Sequence, residues 1–334
     1  MKIGLVGFAG SGKTTVFNTL TGLQVPVGFG GEVRLGTVKV PDERIAALSK
    51  IFSPKKTTYA EIAFCDIPGE HGAEKKGLSS KALLQIRDQE VVCLVLRAFT
   101  NPALESDPDP SADLDLVERR LSRAKKDKPD PLELAAFERM KTTLEHEWPL
   151  RSLTPDALNR SYLKGYEFLT DRPLLVVLNR SEQEAAAPMA DGLAARIKEL
   201  HGAGLVLSAS VEAEIAGMDV ADQAAFLADL GLKESAVARF IRTAYGLLDL
   251  VSFFTVGQDE VRAWTIRRGT TARQAAGRIH SDLERGFIRA EVTPYAVFTQ
   301  YGSEQAVRTA GRLQVEGKDY VVSDGDILHI RFAV

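Results

Sequence analysis

Short apolar runs alternate with longer amphipathic stretches along most of the chain. KIGLV (2–6) is followed by a glycine-rich polar stretch and then by apolar positions at Val16, Phe17 and Leu20 on one helical face. Further runs at Glu32–Val40, Tyr59–Asp66, Val91–Leu96, Leu174–Leu178 and Leu205–Leu207 predict strands, with helical spacing between most of them. Strands that alternate with helices imply an α/β fold, a mostly parallel sheet with helices on both faces.

Two stretches depart from this pattern. After the Pro/Asp-rich segment ESDPDPSAD, apolar residues recur at Leu114, Val117, Leu121 and Ala124, KDKPDP (126–131) reads as a turn, and a second helix carries Phe137, Met140, Leu144 and Trp148. This predicts an antiparallel α-helical hairpin inserted in the α/β domain. Its alternating charges suit either a solvated face or a partner surface. Phe226–Leu248 reads as mostly helical. Beyond it, LVSFFTVG, VRAWTI, AEVTPY, KDYVVS and DILHIRFAV predict short strands around one helix, TTARQAAGRIHSDLERG. The expected domains are 1–105 with 169–247, the insertion 106–168, and a small β-rich domain 248–334.

Composition narrows the classes. The 334 residues are 45% hydrophobic and 26% charged, enough for a sizeable core. A formal net charge of −3 gives no global attraction to nucleic acid or to an anionic membrane. Two cysteines, Cys65 and Cys93, cannot form a disulfide framework, and both sit in apolar strand-like runs. The first residues lead straight into a strand, so no signal peptide is expected, and no apolar run is long enough to span a membrane. A cytoplasmic protein is expected, with a monomer favoured.

Three motifs carry chemistry. Gly7-Phe8-Ala9-Gly10-Ser11-Gly12-Lys13-Thr14 fits G-x-x-x-x-G-K-[ST] between a strand and a helix. Backbone N–H groups from Ala9 to Thr15 would cradle phosphates, Lys13 would bridge them, and Thr14 would ligate Mg²⁺. Asp66-Ile67-Pro68-Gly69 ends an apolar strand. Asp66 would hold Mg²⁺ through water, and the Gly69 N–H would meet the terminal phosphate.

The third motif is Asn179-Arg180-Ser181-Glu182, at the end of LLVVL, where an Asn-Lys-x-Asp loop would read guanine. Glutamate is one methylene longer than aspartate, crowds guanine and loses the bidentate match. Asn179 can still meet the N7 edge of either purine, and Arg180 can lay its stem or plane over the base. Ser208 and Ala209 of LVLSAS would line it. The inference is ATP in preference to GTP, unless small backbone shifts rescue guanine.

These residues resemble the YchF/Obg-like ATPase family. NRSE matches that family's NxxE. SASVEAEIA, FLADLGLKES, the stretch from AYGLLDLVSFFTVG to FIRAEV, and EGKDYVVSDGDILHIRF match its C-terminal part, and VPDER (40–44) supports the match nearer the start. The resemblance implies a Ras-like P-loop NTPase domain, an inserted helical domain and a C-terminal TGS domain of ubiquitin-like β-grasp type. It also implies Mg²⁺-dependent ATP hydrolysis, with GTP a poorer substrate, and association with ribosomes or ribosomal RNA. The chain departs from the family at three places: GFAGSGKTT for GLPNVGKST, glycine near position 30 where the switch I threonine is expected, and the shortened EHGAEKKGLSS after Asp66. Thr37 is the nearest alternative hydroxyl, but it lies in the following strand. Glu70 or His71 would orient the attacking water, or belong to a solvated switch loop.

In the C-terminal domain, 11 Lys/Arg balance 11 Asp/Glu over 248–334. Arg262, Arg267, Arg268, Arg273, Arg278, Arg285 and Arg289 are close enough in sequence to form a local RNA-facing patch or to be ordinary surface arginines. Trp264, Phe253 and Phe254 read as core, and His280 and His329 as structural. Three functions follow: a slow ATPase switch, an ATP-gated ribosome or RNA adaptor with little hydrolysis, and a conventional GTPase. A small-molecule kinase fits the switch-type loops less well.

Overall fold

The computed structural model describes residues 1–7, 10–27, 32–68, 80–98, 118, 130–154, 158–163 and 166–333. Of the positions singled out above, Phe8, Ala9, Gly30, Gly69, Glu70, His71 and the 114–124 pattern apart from Glu118 lie outside them. Two compact units are present, residues 1–38 with 63–243, and 39–62 with 244–334.

The first unit is built on a sheet of β1 (Lys2–Val6), β2 (Arg34–Lys39), β4 (Glu61–Asp66), β5 (Val91–Ala98), β6 (Leu174–Arg180) and β7 (Ala203–Leu207), in the order β2-β4-β1-β5-β6-β7. The β1–β4, β1–β5, β5–β6 and β6–β7 pairs are parallel. β5 and β6 each open with five consecutive apolar residues that are all buried, as expected of strands enclosed on both faces. Val92, Leu94, Leu174 and Val176 pack with Ile86 and Ile197 in one cluster. The parallel order brings the C-terminal ends of β1, β4, β5, β6 and β7 to one edge, where ligands of such sheets bind.

Within the expected insertion, one helix (Pro131–Glu145) is described. Asp130 caps it, accepting from the Leu132 N–H at 3.0 Å, and Pro131 takes the first turn, where no N–H is missed. Phe137, Met140 and Leu144 bury against Leu150, Leu158, Leu163 and Phe168. Glu118, from the expected first helix, ion-pairs with Lys141 at 2.9 Å. Trp148 does not belong to the helix: Glu147 turns left-handed (φ 59°), and Trp148 lies past the end, 39% exposed, with Arg196 over its ring. The stretch 226–248 is two helices, Val220–Asp229 and Ala236–Leu247, separated at Gly231 (φ 70°).

The second unit holds a mixed sheet of β3 (Lys56–Thr58), β8 (Leu250–Thr255), β9 (Glu260–Arg267), β10 (Phe287–Pro294), β11 (Gln314–Glu316) and β12 (Asp326–Phe332), in the order β11-β10-β12-β8-β9-β3. β8 and β9 form an antiparallel hairpin, β12 runs parallel to β8, and the helix Ala272–Ile279 packs on the core of Val251, Phe253, Val292 and Leu328. This is the β-grasp arrangement expected. Thr271 and Gln274 close a capping box at that helix. Phe253 and Phe254 are fully buried, and Trp264 stacks on Phe253.

Three details differ from the sequence reading. KDYVVS is not a strand: Asp326 accepts from the Tyr320 hydroxyl and the Ser323 N–H, each at 2.8 Å, and folds the segment into a turn. The single expected helix is two, Ala272–Ile279 and Ser281–Arg285, with the His280 ring nitrogen accepting from the Asp282 N–H between them. β3, three residues from between β2 and β4, pairs in parallel with β9. In VPDER, Asp42 caps helix Glu43–Phe52 through the Arg44 N–H, and Arg44 bridges Asp42 and Asp324, both at 2.8 Å.

Candidate nucleotide site

The phosphate loop joins β1 to α1 (Lys13–Thr21). Gly7 has φ 145°, and a Cβ there would fall 2.5 Å from the Val95 carbonyl oxygen, so only glycine fits. Gly12 caps α1 at φ 88° with no side-chain hydrogen bond. Glycine brings no side chain of its own to cap the first turn of α1, and the helix end carries partial positive charge. Such an end receives an anion.

Lys13 is buried, and that burial pushes its ammonium pKa below the ordinary value, against the opposing pull of Asp66. Thr14 Oγ1 donates to Asp66 Oδ2 at 3.0 Å. The β1–β4 register sets Leu5 beside Asp66 and so puts the carboxylate at the mouth of the loop. Asp66 is 4% exposed, and among the described residues its Oδ1 is buried without a hydrogen-bond partner, as is Ser11 Oγ. Thr15 is half-buried one residue further on. A hydroxyl beside a carboxylate with an unsatisfied buried oxygen suits a hard, oxygen-seeking divalent cation.

The base-side loops are stitched to this loop. Asn179 sits near the end of β6, opposite Arg97 of β5 and Leu207 of β7. Its Nδ2 donates to the Ser11 carbonyl, and its Oδ1 accepts from the Ala209 N–H, both at 3.1 Å. Thr19 of α1 donates to the Ala209 carbonyl at 3.2 Å, and the Ser208 and Ser210 hydroxyls share a hydrogen bond at 3.0 Å. Arg180 folds back, donating from Nη2 to the Pro188 carbonyl. Glu182 is exposed and opens a single helical turn closed by the Ala185 N–H on its carbonyl. The structure thus gathers Gly10, Ser11, Gly12, Lys13, Thr14, Asp66, Asn179, Ser208 and Ala209 at one edge of the sheet.

Sequence reasoning missed two features. Arg34, the first residue of β2, places Nη1 3.6 Å from Asp66 Oδ2. Thr37 lies further along β2 and is exposed. No motif spacing marks Arg34, because its partner comes from another strand. Glu212, in the helix that follows Ala209, is 3% exposed. It accepts from the Ala236 N–H at 2.7 Å and lies 3.8 Å from Arg239, which donates to the Val206 carbonyl of β7 at 2.9 Å. Burial raises the Glu212 pKa, opposed by that N–H and by Arg239.

Elsewhere, burial pushes the Cys65 thiol up to about 11, and Cys93 is raised further by the same cause, so both are inert core thiols. Among the described residues no three His, Cys, Asp or Glu side chains gather into a metal cluster, and no helix is long and apolar enough to cross a membrane. Four of the C-terminal arginines are tied locally: Arg262 lies 4.0 Å from the Trp264 ring centroid, Arg268 pairs with Asp249, Arg273 donates to the Glu284 carbonyl, and Arg285 pairs with Asp282.

A mostly parallel sheet with a glycine-rich loop after its first strand, and with Asp66 and Asn179 at the C-terminal ends of β4 and β6, has the arrangement of a Ras-like P-loop NTPase. Comparison with known proteins narrows this. The family model described as "50S ribosome-binding GTPase" matches residues 2–134, and the C-terminal YchF model, described as "Protein of unknown function (DUF933)", matches 250–333. "Ribosome-binding ATPase YchF" of Bacillus subtilis (strain 168) is 36% identical over the whole of both chains. Its counterpart in Haemophilus ducreyi is 38% identical over 100% of this chain and 99% of its own. The Schizosaccharomyces pombe YchF GTPase structure superposes with a TM-score of 0.82 at 28% identity, covering 99% of this chain and 97% of that one. The chain belongs to the YchF family. The Bacillus comparison runs over 367 positions against 334 residues, so this member lacks segments that its relative has.

Proposed function

We propose that this protein binds Mg²⁺ and ATP at the loops around Lys13, Asp66 and Asn179, hydrolyses ATP slowly, and uses the nucleotide state to switch its association with ribosomes. The observation that carries this reading is the pair of ties that joins three loops: Thr14 to Asp66, and Asn179 to both Ser11 and Ala209. Phosphate, metal and base subsites are thereby held on one edge of a rigid sheet. The full-length likeness to proteins named ribosome-binding ATPases supports the choice of nucleotide and partner.

In this reading the N–H groups at the start of α1 and Lys13 hold the phosphates. Lys13 is kept largely dry, so its charge acts in a low-dielectric site. Thr14 and Asp66 would hold Mg²⁺, which neutralises phosphate charge when bound. Asn179 keeps the base loop and the phosphate loop at a constant spacing. Glu182 stands where an aspartate would read guanine, and its extra methylene disfavours that base. Gly69, Glu70 and His71, which would sense the terminal phosphate and orient water, belong to the same proposal on sequence grounds alone.

Phosphate release by wild type and Lys13→Ala tests the activity: slow release, lost in the variant, is expected, and equal release by both would refute hydrolysis at this site. Co-sedimentation with ribosomes under ATP, ADP and a non-hydrolysable analogue tests the switch, and recovery that is the same in all three would refute it. A GTPase reading is favoured by two descriptions, that of the S. pombe homologue and that of the family model matching residues 2–134, both of which say GTPase. The choice between the two nucleotides rests on Glu182.

A further inference from the structure

Arg34 enters the metal–phosphate corner from β2, the strand that neighbours β4. Asp66 Oδ2 accepts the Thr14 hydroxyl at 3.0 Å and faces Arg34 Nη1 at 3.6 Å, while Oδ1 is buried with no hydrogen-bond partner among the described residues. The carboxylate side chain is 5% exposed and that of Arg34 26%, so the pair is sheltered from water on the acid's side and open on the cation's. An arginine is charged at every working pH, and its planar fork suits carboxylate and phosphate oxygens equally well.

We propose that Arg34 is a specificity-determining residue of the phosphate site, one that makes metal affinity depend on a third phosphate. The proposal rests on the reading of Thr14 and Asp66 as the Mg²⁺ corner. A guanidinium beside Asp66 cancels part of the charge that would attract a divalent cation. With a diphosphate, Asp66 is the anion that Arg34 is positioned to meet in this corner, and the pair persists against the metal. A triphosphate adds anionic oxygens next to Lys13 and Thr14. Arg34 can then exchange one anion for another at little cost, and Asp66 becomes free to support the metal. The result is a coupling between the third phosphate and Mg²⁺, which is reciprocal by linkage. A plain ion pair fastening β2 to β4 would give stability without this coupling.

The test is a Mg²⁺ titration of the full chain carrying fluorescent ADP or a fluorescent non-hydrolysable ATP analogue, in wild type, Arg34→Gln and Arg34→Lys. The readout is the ratio of Mg²⁺ half-saturation with ADP to that with the analogue. The ratio is expected to fall about tenfold in Arg34→Gln, a typical allosteric coupling, through tighter metal binding in the ADP complex. It should stay near the wild-type value in Arg34→Lys, which keeps the charge. An unchanged ratio in a folded Arg34→Gln protein overturns the proposal. A nucleotide-free measurement separates this from the broader reading: Mn²⁺ binding followed by electron paramagnetic resonance should tighten in Arg34→Gln and be lost in Asp66→Asn. Failure of wild type to bind either nucleotide would refute the ATPase reading, whereas Mn²⁺ binding that is identical in wild type and Arg34→Gln would refute the role of Arg34.

Discussion

Asn179 and Ser11, 168 positions apart, are joined by a hydrogen bond from the Asn179 amide to the Ser11 carbonyl at 3.1 Å. The other end of the same amide takes the Ala209 N–H. One buried side chain therefore sets the distance between the loop that cradles phosphate and the loop proposed to line the base.

Asn179→Ala leaves a buried carbonyl and a buried N–H without that partner. Loss of about 1–3 kcal/mol of stability is expected for such unsatisfied groups. Urea denaturation measures it, together with weaker binding of both ATP and GTP. A variant as stable as wild type would show that water or another group replaces the amide.

Lys13 makes a prediction of opposite sign for stability and binding. Its folded-state pKa is lowered by burial, so the unfolded chain binds more protons between that value and 10.5. Stability then rises with pH through that window, and at neutral pH the buried charge is a cost. Lys13→Met is expected to raise the melting temperature of the nucleotide-free protein while abolishing nucleotide binding. It should also flatten the rise in stability at alkaline pH. A lower melting temperature for the variant would mean that its attraction to Asp66 outweighs its desolvation.

Glu212 tests the ground beneath the base loop. Its carboxyl pKa is raised by burial, so the folded state holds its proton more tightly than the unfolded chain. As pH falls from neutrality through the raised value toward 4.5, this group adds stability, and Glu212→Gln should lose that dependence. Glu212→Ala removes the acceptor of the Ala236 N–H and leaves Arg239 uncompensated, which should cost about 3 kcal/mol, the usual result of halving a buried pair. Thermal melting of the three proteins from pH 4 to 8 checks both statements.

Much of this was legible in the chain itself. The strands of the first sheet are buried on both faces, so their apolar runs are unbroken, and the loops after β1, β4 and β6 carry residues with few other reasons to stand there. Arg34 was not legible, because it meets Asp66 from a neighbouring strand and belongs to no motif. β3 was hidden for a similar reason: Lys56-Thr57-Thr58 has no apolar signature, and only its pairing with β9 makes it a strand. KDYVVS misled in the other direction, since its run of aromatic and β-branched residues gives way to hydrogen bonds that Asp326 makes locally. Trp148 kept helical spacing with Leu144 although Glu147 had already turned the chain.

In the proposed function, Glu182 makes this an ATP-selective member of the P-loop class. Calorimetric titration of nucleotide-free protein with ATP and with GTP, Mg²⁺ present, for wild type and Glu182→Asp, tests it most directly. Tighter ATP binding by wild type and a shift toward GTP in Glu182→Asp are expected. Equal binding of the two nucleotides by wild type, or a preference for GTP that the substitution leaves unmoved, would contradict it.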